Sequence, residues 1–150
     1  MIKKKRPGDK VEFGILPEFL GYHIRMAQIG IFRDFARNLD EYAISPTLFG
    51  SLVIIQMNPG IKQSELAEAV QLDRSSVVPM IDRLEKKGYV VREKPGNDRR
   101  SNALSLTSKG EQLLGKIVPL VREHEKRLTG ALTNEEESQL VKLLGKLIPG

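Results

Sequence analysis

From Leu16 onward, apolar residues recur at helical spacing. Leu20, Ile24, Ala27, Ile31, Phe35 and Leu39 form one stripe, and Met26, Ile29, Phe32 and Ala36 add a second apolar side. The pattern predicts a helix of roughly 25 residues that more than one neighbour must cover, in its own core or across a dimer seam. "SPTLFGSLVIIQM" predicts a second helix, with Ser45 as cap, Pro46 at the first position and Asn58-Pro59-Gly60 as the stop. "KQSELAEAV" is a short third helix, "QLD" a turn, and "RSSVVPMIDRLEKKG" a fourth helix ended by Gly88. In the fourth, Val77, Ile81 and Leu84 share one face, leaving Arg74, Ser75, Ser76, Pro79 and Arg83 opposite. Two strand-like runs follow, "YVVREK" and "SNALSL", joined by a turn that carries Asp98, Arg99 and Arg100. Thr107 then opens a long helix with Leu113, Ile117, Leu120 and Leu128 on one face, and Pro119 inside it should kink it. "TNEE" at 133–136 fits a capping box for a last helix, with Leu140, Leu144 and Leu147 expected inward.

Short helix, turn, second helix and a hairpin with a basic tip is the layout of a winged helix-turn-helix. The physics of that layout points to double-stranded DNA. A helix fits the major groove, and its N-terminal end carries partial positive charge toward the phosphates. Ser75 and Ser76 can bond phosphate or a base edge, while Arg74 and Arg83 can neutralise phosphate or grip guanine. An arginine on a narrow loop can enter the minor groove, and Asp98 is placed to hold and aim it. Pro79 forfeits one helical hydrogen bond, to the Ser75 carbonyl, and could touch a thymine methyl.

Composition narrows the partners less than the layout does. The net charge of +5 and pI near 9.5 favour an anionic partner. Between Ile61 and Leu106, however, nine Lys/Arg face seven Asp/Glu, so placement rather than bulk charge carries the DNA reading. Lys3, Lys4, Lys5 and Arg6 belong to a basic tail that could touch a polyanion. The chain has no cysteine, hence no disulfide, thiolate metal site or thiol switch. No apolar run reaches the ~18 residues of a membrane span, and no secretory signal follows the basic N-terminus, which points to the cytoplasm. There is no Ser-His-Asp pattern, phosphate-binding glycine loop or metal motif, so no catalytic residue, metal or cofactor is expected. The two histidines, His23 and His124, lack the spacing of a metal site.

The run from Ser64 to Gly110 resembles the central domain of the MarR family of bacterial transcription regulators. The resemblance rests on "ELA", "LDRSSV", "DRLEKKGYV", the Asp98-Arg99-Arg100 tip and "LSLTSKG" in that order. It implies a mostly α fold with a small β-hairpin wing. It further implies a basic tail (1–12), an N-terminal dimerisation helix (13–44), a winged helix-turn-helix domain (45–110) and C-terminal dimerisation helices (111–150). A homodimer would read a pseudo-palindromic operator, Arg100 entering the minor groove and Arg99 on phosphate. Many members are repressors released by a small aromatic, phenolic or thioester ligand. Here Tyr22, His23, Met26, Phe49 and Arg122 would line its pocket, taking an aromatic acid or its coenzyme A thioester. Two departures stand out: Pro79, and Lys62 where members often carry a capping threonine, so the third helix is expected to fray. The alternative is a winged-helix protein acting through protein or RNA contacts without sensing a ligand.

Overall fold

The computed structural model describes residues 11–93 and 103–147. The wing-tip residues Asp98, Arg99 and Arg100 and the basic tail at Lys3–Arg6 lie outside them. Six α-helices are described: α1 (Leu20–Leu39), α2 (Pro46–Met57), α3 (Gln63–Ala69), α4 (Arg74–Lys86), α5 (Ser108–Thr129) and α6 (Asn134–Leu147). Three strands accompany them: β1 (Ile61–Lys62), β2 (Val90–Glu93) and β3 (Ala103–Leu106).

The predicted first helix is shorter than its apolar pattern. Leu16–Glu18 form a 3-10 turn, Phe19 is extended, and α1 begins only at Leu20. The helix boundaries further on follow side-chain chemistry written locally. Ser45 accepts from the Leu48 N–H, Asp73 from that of Ser76 and Thr107 from that of Gly110. Thr133 and Glu136 bond each other's backbone N–H, completing the expected capping box. At α3 the expectation of a lost cap is corrected by half. The Lys62 side chain has no acceptor to offer, but the Glu65 carboxylate still accepts from the Lys62 N–H at 2.9 Å. Both α4 and α5 run on past their internal prolines, Pro79 and Pro119.

The hairpin gains a third strand that no local pattern announced. β3 pairs antiparallel with β2 (Val90 opposite Leu106, Glu93 opposite Ala103) and, on its other edge, with β1 (Ile61 opposite Leu104). The Gly60 N–H extends that edge by donating to the Leu104 carbonyl at 2.9 Å. The wing therefore grows directly out of the segment that starts α3.

A core of Phe35, Leu39, Leu48, Leu52, Ile55, Leu66, Ile81, Leu84, Val90, Leu104, Leu114 and Ile117 joins all these elements except α6 and β1, whose half-buried Ile61 packs against it. No residue of α6 is buried. Leu140, Leu144 and Leu147, expected inward, are 46%, 38% and 52% exposed. Leu20, Ile24, Met26, Ile29 and Phe32 of α1 and Leu128 of α5 are exposed as well. Their apolar spacing is real, but nothing among the described residues covers them.

Candidate nucleic-acid interface

Helix α4 meets the core through Val77, Ile81 and Leu84 and turns Arg74, Ser75, Ser76, Pro79 and Arg83 outward, as expected. Its first turn is built around Asp73. One carboxylate oxygen accepts from the Ser76 N–H at 2.7 Å and from the Ser75 hydroxyl at 2.6 Å. The Ser75 hydroxyl, followed by the Ser76 N–H, holds the Asp73 carboxyl below its ordinary range. These bonds constrain the Ser75 hydroxyl. Ser75 has committed its proton to the cap, so it faces outward as an acceptor, suited to an amino group on a base edge rather than to phosphate. Arg83 also has a partner, donating to the Ala43 carbonyl at 3.3 Å in the connection between α1 and α2.

Arg92 makes contacts that the sequence reading missed. From β2 its guanidinium bonds Asp82 and reaches Glu85 at 3.1 Å, both on α4. Its side chain is only 20% exposed. Alternation along β2 puts Arg92 on the same side as buried Val90, and an inward charge on a short strand was the available signal. The bridge fixes the root of the wing against the recognition helix. On the DNA reading, Arg92→Ala should therefore weaken duplex binding several-fold. The slope of log affinity against log salt should stay the same, because a residue turned toward α4 neutralises no phosphate. A titration at several salt concentrations checks both.

The five residues expected to line a ligand pocket are spread over α1, α2 and α5. Tyr22 and His23 stack edge to face at 5.5 Å, and the His23 Nε2 lies 2.8 Å from the Pro17 carbonyl oxygen. Met26 and Arg122 are exposed, and Phe49 packs against Phe35 at 6.3 Å. A cleft of about 300 Å³ opens between α1 and α5, lined by Gly30, Ile31, Asp34, His124, Arg127 and Leu128. None of the five is among these residues. His124, 1% exposed, is the most deeply set of the lining groups, and its Nδ1 lies 2.8 Å from the Asp34 carboxylate. That hydrogen bond, above all, holds the Asp34 carboxyl below its ordinary range, with Arg127 and Asn38 assisting. Among the described residues, the other imidazole nitrogen, Nε2, is buried without a hydrogen-bond partner. Among the described residues, no three His, Asp or Glu side chains cluster as a metal site would require.

The sequence pattern of the MarR family matches residues 44–101. A Thauera aromatica protein, provisionally assigned as the transcriptional regulator of the hcr operon, is 40% identical over 129 residues, covering 85% of this chain and 78% of its own. This chain belongs to the MarR family. The solved transcriptional repressor CouR, bound to a 23-mer DNA duplex, superposes with a TM-score of 0.86 at 35% identity, over 93% of this chain and 99% of the other. CouR bound to p-coumaroyl-CoA superposes with a TM-score of 0.85 at 32% identity, over 92% and 97%. MarR-family proteins are transcription regulators rather than enzymes, in keeping with the lack of a catalytic motif. Among the described residues of this MarR-family chain, no helix is long and apolar enough to cross a membrane.

Proposed function

We propose that this MarR-family chain works in the cytoplasm as a homodimeric repressor of a pseudo-palindromic operator. The observation that carries the reading is α4 itself. Its back is locked into the core while Arg74, Ser76 and Pro79 stand exposed along its outer side, with a sheet clamped beside it by Arg92. The half-sites would lie about one helical turn apart, ~10 base pairs centre to centre. Arg100 is assigned to the minor groove and Arg99 to phosphate. Arg100→Ala should then cost about 1–3 kcal/mol per half-site without a comparable loss for scrambled duplex. Anisotropy titrations with operator and scrambled duplex, run from low to physiological salt, test this. A flat salt response, or equal affinity for both duplexes, would favour the protein- or RNA-contacting alternative. That alternative draws only on the near balance of charge between Ile61 and Leu106.

For the effector, the same reading takes a small aromatic acid or its coenzyme A thioester, supported by the likeness to CouR bound to p-coumaroyl-CoA. To turn a 99:1 preference for the DNA-binding state around, effector binding must favour the other state by ~5.5 kcal/mol, shared over the two sites of a dimer.

A further inference from the structure

We propose that α4 selects an A·T base pair in the major groove, the thymine methyl resting against Val78 and Pro79 and the Ser75 hydroxyl oxygen accepting from the adenine amino group. The proposal rests on the operator-binding reading above and adds which base pair is recognised and by which side chains.

Three observations converge on it. The first is position. Ser75, Val78, Pro79 and Asp82 fall within an arc of about 100° on a helix of 3.6 residues per turn, on the side away from buried Val77, Ile81 and Leu84. All four are exposed, Val78 by 41% despite its apolar side chain. Val78 and Pro79 stand three and four residues beyond Ser75, so the three side chains adjoin on the helix surface.

The second is apolar content where a surface helix is usually polar. Pro79 deprives the Ser75 carbonyl of its donor four residues on, yet it is exposed and adds nothing to the core. Its ring and the Val78 methyls form an apolar step on the crest of the helix. Among base edges in the major groove, the apolar feature is the C5 methyl of thymine.

The third is hydrogen-bond polarity. The Ser75 hydroxyl donates to Asp73 at 2.6 Å, so its lone pairs are what it offers outward. Asp82, bonded by Arg92, closes the line with another acceptor. From Ser75 to Asp82 the crest therefore presents acceptors and apolar groups and no side-chain donor. Arg83, which could grip guanine, is turned to the Ala43 carbonyl at 3.3 Å. Guanine shows two acceptors, N7 and O6, whereas an A·T pair shows the adenine amino donor beside the thymine methyl. Cytosine offers a donor but lacks the methyl. The A·T pair meets both demands of the crest.

The test lets the full-length protein select duplexes from a random pool, then alters the enriched site base by base and measures anisotropy. At one position of each half-site, deoxyuridine in place of thymine, which removes the methyl alone, should weaken binding about fourfold. For Val78→Ser combined with Pro79→Ser, thymine and uracil duplexes should bind alike. Exchanging the same pair for guanine·5-methylcytosine keeps the methyl but sets guanine O6 against Ser75. Wild type should lose about tenfold there, and Ser75→Ala should lose that preference. If no thymine of the enriched site is sensitive, or the sensitivity survives the double variant, the methyl contact is overturned and the operator reading stands. If Ser75→Ala still rejects the guanine pair, the adenine contact is overturned. If the pool enriches no sequence, the operator reading falls with the proposal.

Discussion

Gly110→Ala is expected to destabilise the fold by about 3 kcal/mol, at the upper end of what overpacking usually costs. The reason is where the first turn of α5 passes the end of α4. A methyl at position 110 would stand 2.2 Å from the Tyr89 carbonyl oxygen and 3.1 Å from its carbon, and 3.3 Å from a Leu106 methyl. Backbone cannot be pushed aside as a side-chain tip can. The Tyr89 oxygen also accepts from the Thr107 N–H at 3.1 Å, and the Thr107 hydroxyl donates to the Gly88 carbonyl at 2.6 Å. Separating Gly110 from Tyr89 therefore disturbs the α5 cap and the neighbouring Val90–Leu106 pair of the sheet together. Urea unfolding of Gly110→Ala against Gly115→Ala gives the measurement an internal control. A Cβ at Gly115 meets nothing within 4 Å, so alanine there should raise stability by up to ~1 kcal/mol. Equal midpoints for the two variants would mean that the close approach at Tyr89 is easily relaxed.

Leu140→Glu combined with Leu144→Glu should leave each chain folded and separate the proposed dimer. No residue of α6 is buried within its own chain, so these substitutions remove nothing from the core. Leu140, Leu144 and Leu147 nevertheless recur at helical spacing, and the α1 residues Leu20, Ile24, Met26, Ile29 and Phe32 are exposed too. Carboxylates placed into a shared apolar seam would have to be desolvated without partners. Loss of the second subunit turns two linked half-site contacts into one, and operator affinity should fall by about 10²–10⁴-fold. Sedimentation velocity and anisotropy on the same samples check this. A double variant that stays dimeric and binds normally would assign the α6 face to some other partner.

These two cases also mark what could be read from the sequence. Ser45, Thr107 and the Thr133/Glu136 pair were legible because each cap joins residues three apart, within reach of local chemistry. The faces of α4 were legible for a similar reason, since a 3.6-residue period sorts Val77, Ile81 and Leu84 from Arg74 and Ser76. The pairing of Ile61 with Leu104, the Arg92 bridge to Asp82 and the His124–Asp34 contact were not. Each depends on tertiary placement, and periodicity carries no information about that. The α6 leucines fall between these groups: their period was visible, but it says that a face is apolar, not which chain covers it. Likewise only the fold sets His124 deep beside α1 while His23 stays exposed.

The strand β1 has a mechanical consequence. It ties the start of α3 to one edge of β3, while Arg92 ties β2, on the opposite edge, to α4. Fastened on both sides, the sheet and the two helices of the motif form a stiff jaw, and neither helix can be tilted alone against the wing. In the proposed dimer, an effector bound against α1 and α5 would then leave the teeth of each jaw as they are and change the gap between the two jaws. On the proposed function such a dimer would work as a caliper, and release would mean that its opening no longer matches the distance between successive grooves.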